Sequence, residues 1–182
     1  MSTLKLPIFN RPLQPLQAIL LLALVFGTLD ILDATLFWGI AMDVAPIHIF
    51  LGIASGLLGN AAFGGGAVTA LLGALLEFLG FACLLGIFCL AAWKWPALRS
   101  QPWGVGLGYG LVSYAVIHYL LLPLSAYHIV PGFYPMVFVN GLLAQTLFVG
   151  VPSALLAGAM GSAAGAMDEV DQPGAPHASI GG

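Results

Sequence analysis

The stretch PIHIFLGIASGLLGNAAFGGG, residues 46–66, decides how the rest of this chain is arranged. It is apolar, but its strongly helical part ends near Gly59, after about 14 residues, and the Gly64-Gly65-Gly66 run breaks any helix beyond it. A helix of that length is more often re-entrant or interfacial than membrane-spanning. Around it lie four longer apolar segments: Leu16–Ile40, Ala67–Trp93, Trp103–Leu122 and Met136–Met160. Each has about 20 to 27 residues, enough to cross ~30 Å of hydrocarbon at ~1.5 Å per residue. Pro152 falls inside the fourth and predicts a kink there.

Composition agrees with a membrane chain. Hydrophobic residues make up 60% and charged residues 6% of the 182, against about 25% charged in soluble domains. Mean hydropathy is +1.05. Such a chain cannot dress a water-facing surface, which excludes a soluble enzyme and a disordered protein. The formal net charge is -3, with four Lys+Arg and seven Asp+Glu. No basic run exists to hold phosphates, so nucleic acid is not expected as a partner.

The four bases fix the orientation. Lys5 and Arg11 precede the first span; Lys94 and Arg99 separate the second from the third. If residues 46–66 do not cross, both groups lie on one side, as the positive-inside rule prefers. The expected fold is therefore an all-α, polytopic membrane helix bundle. It has four transmembrane helices, a short re-entrant or interfacial helix over 46–59, and both termini cytoplasmic. A five-span arrangement, with 46–66 crossing, is the alternative. Trp93, Trp95 and Trp103 flank the inner loop, while Trp38, Tyr127 and Tyr134 lie near the outer ends, as interfacial aromatics do. The first apolar run is about twice as long as a signal-peptide core and reads as a retained span. Residues 1–15 form a cytoplasmic segment, 16–164 the bundle, and 165–182 an acidic, disordered tail.

Three acids, Asp30, Asp33 and Glu77, fall inside spans. An acid near the middle of a membrane helix costs about 2.5–3.5 kcal/mol to insert. Such residues face the protein interior or a wet cavity. With no Lys or Arg in the spans, they must be protonated, bind a cation or pair with a protonated His118, the one histidine well inside a span. Small residues share their helical stripes: Ala23, Gly27 and Ala34 with Asp30; Ala70, Gly73, Ala74 and Gly80 with Glu77; Gly104, Gly108, Leu111 and Ala115 with His118. Gly27, Gly73, Gly80, Gly104 and Gly108 are thus the expected helix-packing positions. Asn140 and Gln145 add amides from the fourth span. All six polar residues fall ~6–15 Å below the outer boundary, counting ~1.5 Å per residue. This set is either a proton- or cation-binding site or a hydrogen-bonded cluster that fixes helix register.

Other chemistry finds no support in the sequence. Cys83 and Cys89 point to opposite sides of one helix and cannot pair within it. No CxxC or Cys/His cluster suggests zinc or iron–sulfur. His48 and His128 lie near the outer surface, which leaves His118 without a second buried haem ligand. The Gly104-x-Gly106-x-Gly108-x-Gly110 pattern lacks the strand and βαβ setting of a dinucleotide loop; the overlapping pairs Gly104/Gly108 and Gly106/Gly110 read as close-packing motifs. No nucleophile elbow is present. No cofactor is expected and no metal is assigned.

Four passages resemble small bacterial inner-membrane proteins of unknown function: Gly27-Thr28-Leu29-Asp30-Ile31-Leu32, Ile53-Ala54-Ser55-Gly56-Leu57-Leu58-Gly59 with Ala61-Ala62-Phe63, Leu122-Pro123-Leu124-Ser125, and Asn140-Gly141-Leu142-Leu143-Ala144. The second half is more distantly similar to YagU-like inner-membrane proteins. The resemblance covers roughly residues 20 to 160 and implies the bacterial inner membrane. Similar proteins often carry His where this chain has Glu77, so it implies a polar group there rather than a carboxylate. Together these readings suggest a small proton- or cation-linked transporter or permeability protein, a homo-oligomer or subunit of a membrane complex in the lipid bilayer. A non-catalytic accessory or scaffold subunit is the alternative.

Overall fold

The computed structural model describes residues 14–128 and 132–170, with side-chain surroundings through residue 162. It is all-α. Helix α1 spans Pro15–Met42, α2 Pro46–Leu58, α3 Gly66–Lys94 and α4 Pro102–Leu124, the last containing a π-helical segment at Ile117–Leu121. Helices α5 (Pro135–Ala144) and α6 (Val151–Val170) join through a second π-helical segment, Gln145–Gly150. A 3₁₀ turn, Gly59–Gly64, extends α2. Five segments are long and apolar enough to cross a membrane: Pro15–Met42, Pro46–Gly64, Gly66–Lys94, Pro102–Leu124 and Pro135–Ser162. By length and composition, then, 46–64 belongs with the spans, because the 3₁₀ turn carries it past the end of α2.

Proline opens α1, α2, α4 and α5, where its missing N–H is one of the donors a first turn leaves free. The π-helical segment at 145–150 ends just before Pro152. Proline there has no N–H for the carbonyl four residues back, and the wider turn absorbs the mismatch. Helix α6 continues to Val170, beyond the start of the tail expected at residue 165; it carries through Gly165, which stands between the good helix formers Ala163, Ala164, Ala166 and Met167. The remainder of that tail, and most of the N-terminal segment, lie outside the described residues.

Contacts fix the directions. Gly27 of α1 packs on Phe78 and Phe81 of α3, while Pro15 and Ile19 share a groove with Cys89 and Trp93. These two helices therefore run antiparallel. Tyr109 of α4 donates a 2.8 Å hydrogen bond to the Leu84 carbonyl and lies against Phe88, and the short connection from Lys94 to Pro102 returns α4 antiparallel to α3. Gly106 and Gly110 meet Val151 and Thr146, and Gly141 meets Tyr114, which turns the α5–α6 rod back along α4. Ala18, Leu22 and Phe26 face Pro152, Leu156 and Ala159 and close the ring. The core along its axis includes Ala18, Ala23, Phe81, Leu85, Phe88, Val149 and Ala154.

Helix α2 lies at the end of this bundle away from Lys94 and Arg99. The chain turns back at the end of α1, where the Val44 N–H donates to the Trp38 carbonyl. The Phe50 carbonyl then rests against Gly73 of α3, and the Ala126 N–H donates 2.9 Å to the Gly56 carbonyl just beyond α4. Gly59 has a φ of +60°, and a Cβ there would sit 3.0 Å from the Ala126 carbonyl oxygen. Glycine is needed for both reasons. Helix α2 thus bridges the far ends of α1, α3 and α4.

Candidate functional site

The polar residues come from three sides of the bundle. On α1, the stripe through Ala23, Gly27 and Asp30 turns inward, with Ala23 and Gly27 buried and Asp30 half-buried. On α3, Gly73 is buried and Glu77 half-buried on the same face. The antiparallel pairing of α1 and α3 brings Asp30 and Glu77 within hydrogen-bonding reach of each other. Asp33, one turn further along α1, accepts a 2.9 Å hydrogen bond from the Asn140 side-chain amide of α5. Asp30, Asp33, Glu77 and Asn140 therefore link α1, α3 and α5.

The other two expected members lie apart. Gln145 takes a 3.2 Å hydrogen bond from the Ser113 hydroxyl through its side-chain oxygen, tying α4 to the second π-helical segment. His118 has Nδ1 3.1 Å from the Tyr114 carbonyl oxygen, and its ring stacks on Tyr114 at 3.9 Å. Its Nε2 points toward Gly141, next to Asn140 in sequence. His118 thus flanks the cluster through α5, but its hydrogen bond and ring stacking are both with Tyr114 of α4 rather than with a carboxylate.

The packing face of α4 differs from the expected one. Gly104 and Gly108 are exposed, as are Leu111 and Ala115; the buried positions are Gly106, Gly110, Ser113 and Tyr114. A Cβ on Gly108 would meet open space, whereas one on Gly110 would lie 2.5 Å from the Thr146 Cα. Glycine recurs at every second position from 104 to 110, so both faces of α4 offer a small-residue stripe. The feature that separates them is Ser113, which continues the Gly106/Gly110 row; its hydroxyl lies 2.9 Å from the Gly110 carbonyl oxygen of its own helix and shares its proton with Gln145 across the seam. Gly27 and Gly73 pack closely as expected, on Phe78 and on the Phe50 carbonyl, while Gly80 is exposed with open space beside it. Phe81 takes the buried place at that level of α3.

Ser113 and Tyr114 are the members that the sequence reading missed. Ser153 is a third polar residue of the interior: it is fully buried on α6, and its hydroxyl has no hydrogen-bond partner among the described residues. Among the described residues, no three His, Cys, Asp or Glu side chains converge to hold a metal ion. A shallow groove between α1 and α5, lined by Phe37, Pro135, Met136, Val139, Asn140 and Leu143, reaches the edge of the cluster at Asn140.

Chemically, two carboxyl groups in contact repel when both are ionised, and apolar surroundings sharpen the repulsion. A shared proton or a bound cation relieves it. The Asp33–Asn140 bond works differently, since an amide N–H satisfies a carboxylate without neutralising it. Compared with known proteins, the chain matches no family model, and no curated protein or solved structure matches it.

Proposed function

We propose that this multi-pass membrane protein is a small proton- or cation-linked transporter or permeability protein, and that Asp30 and Glu77 form its ion-handling pair. The observation that carries this reading is the meeting of these two carboxyls, from different helices, inside apolar spans. Ionisable groups at such depth are costly and face inward in pathways and relays. Asp33 and Asn140 extend the pair toward the groove beside Phe37 and Val139.

The same reading makes the chain four-spanning, with Pro46–Gly64 re-entrant or interfacial. Support comes from the antiparallel pairing of α1 with α3: a helix between two antiparallel neighbours begins and ends at one end of the bundle. The Gly56–Ala126 hydrogen bond ties α2 to that same end. Lys94 and Arg99 then share the opposite side with Lys5 and Arg11, which makes that side cytoplasmic and supports an inner membrane. The resemblance to small bacterial inner-membrane proteins points the same way. A bundle of four helices encloses little space, so a homo-oligomer completes the pathway.

A second reading, a scaffold or accessory subunit, draws on Gly80, Gly86, Gly108 and Gly158, each with open space where a Cβ would stand. Such positions let another helix approach closely. Reconstitution separates the two. Purified protein in sealed vesicles is given a gradient of protons, sodium or potassium, and flux is followed with ion-sensitive dyes. Flux of one of these ions above that of empty vesicles is expected; its absence for all three, with co-purification of a fixed partner complex, favours the scaffold.

A further inference from the structure

At the end of the bundle carrying Lys94 and Arg99, α1, α3 and α6 part to leave a groove of about 400 Å³. Ile19, Leu90, Trp93, Ala157 and Met160 line it, and Arg99 stands at its edge. Its volume suits a small-molecule site, and its walls suit hydrocarbon. Arg99 is fixed in place. Its Nε donates 2.9 Å to the Ala92 carbonyl at the end of α3. Its side chain also lies over Gly161, where a Cβ would fall 2.8 Å from Arg99 Cδ and Nη1. The Nε bond leaves the Nη groups as donors. Lys94 borders a second hollow, with Leu90 and Trp93 as shared walls, and its Nζ sits 5.6 Å from the Trp95 ring. Trp93, 79% exposed, and Trp95 mark the level where hydrocarbon gives way to headgroups.

We propose that this groove binds one anionic phospholipid of the bilayer, with an acyl chain between α1 and α6 and the headgroup phosphate against Arg99 and Lys94. Charge selects the occupant. An apolar groove alone accepts any lipid, but Arg99 at its edge, with Lys94 on the adjoining hollow across Leu90 and Trp93, favours a net-negative headgroup, each charge by about five-fold. Arginine suits this place because its planar fork binds a phosphate while another of its nitrogens holds the helix end. The site is at the opposite end of the bundle from α2 and is independent of Asp30 and Glu77.

The test uses the full-length protein, stripped of lipid in detergent. It is then mixed with phosphatidylglycerol and phosphatidylcholine of identical chains, and retained lipid is counted by native mass spectrometry. One phosphatidylglycerol per protein is expected, at least about five-fold preferred over phosphatidylcholine. Arg99→Gln with Lys94→Gln brings the two lipids level. Gly86→Leu, whose side chain enters the groove from a position with open space, removes both. Arg99→Lys keeps the charge without the Nε bond and retains the preference. Equal retention of the two lipids by the unaltered protein, or no retention, overturns the proposal. So does undiminished binding in Gly86→Leu, which places the lipid on the charged surface alone. Loss of preference in Arg99→Lys as complete as in the glutamine variant overturns it too, since Arg99 is then only a helix cap.

Discussion

Gly108 and Gly110 lie two residues apart on α4, and replacing each by alanine moves stability in opposite directions. At Gly110 the new Cβ falls 2.5 Å from the Thr146 Cα and 3.0 Å from both the Gln145 carbonyl oxygen and the Thr146 nitrogen. All three are backbone atoms, so no side chain can swing aside. Ordinary carbon contacts lie near ~3.5–4.0 Å, and the helices must separate by about 1 Å to restore them. Gly106 and Gly150 interlock at the same seam, and a Cβ on Gly106 would lie 2.9 Å from the Val151 Cα. Overpacking of this kind costs about 1–3 kcal/mol. Removing glycine from a helix interior returns about 0.5–1 kcal/mol. At the middle of these ranges the net loss for Gly110→Ala is about 1 kcal/mol. Gly108→Ala meets open space and keeps only the gain. The two variants therefore straddle the parent protein with a gap of about 2 kcal/mol, about thirty-fold in the unfolding constant. Unfolding in mixed micelles, followed by tryptophan fluorescence, measures this; Trp103 on α4 serves as the reporter. Equal shifts, or a greater loss in Gly108→Ala, would falsify the assignment of the packing face.

Two further outcomes follow from the same geometry. Asn140→Ala removes the hydrogen bond to Asp33 and destabilises the monomer by about 0.6–2 kcal/mol; a double-mutant cycle with Asp33→Ala recovers that coupling, and additive single effects contradict the contact. Single cysteines placed by Ala45→Cys and Gly64→Cys, in a background lacking Cys83 and Cys89, react with a membrane-impermeant maleimide from the same side of sealed vesicles, while Ser100→Cys reacts from the other. Opposite-side labelling of residues 45 and 64 would mean that the segment between them crosses.

The four long helices are legible in the sequence because length and hydropathy define them: Leu16–Ile40 becomes Pro15–Met42, and Ala67–Trp93 becomes Gly66–Lys94. Which face turns inward is legible only where a costly group marks it. Asp30 and Glu77 mark the inward faces of α1 and of the first part of α3, where Gly27 and Gly73 are buried, because an acid has few tolerable environments in a span; the α3 stripe fails one turn on, at the exposed Gly80. Helix α4 has no acid, and its glycines occupy both faces, so the face away from the real contact is read as the packing one. Leucine in lipid is as comfortable as leucine in the core, which removes the usual patterning signal. Fine geometry is beyond periodicity too. The π-helical turns place Gln145 against Ser113 and set the His118–Tyr114 stack, and a proline signals only that some irregularity is needed. The 46–64 segment is long enough to span once its 3₁₀ turn is counted. Its placement rests on the pairing of its neighbours, a long-range property.

If the Asp30–Glu77 pair handles an ion, as proposed, flux through Glu77→Gln in sealed vesicles reads that role directly. Glutamine keeps the size and hydrogen bonding of the side chain but can neither release a proton nor balance a cation's charge. In that role, the expected outcome is a variant that folds, inserts and assembles like the parent and loses its ion flux. Flux at the parent rate in correctly folded Glu77→Gln would contradict it and leave the pair as a polar clasp between α1 and α3.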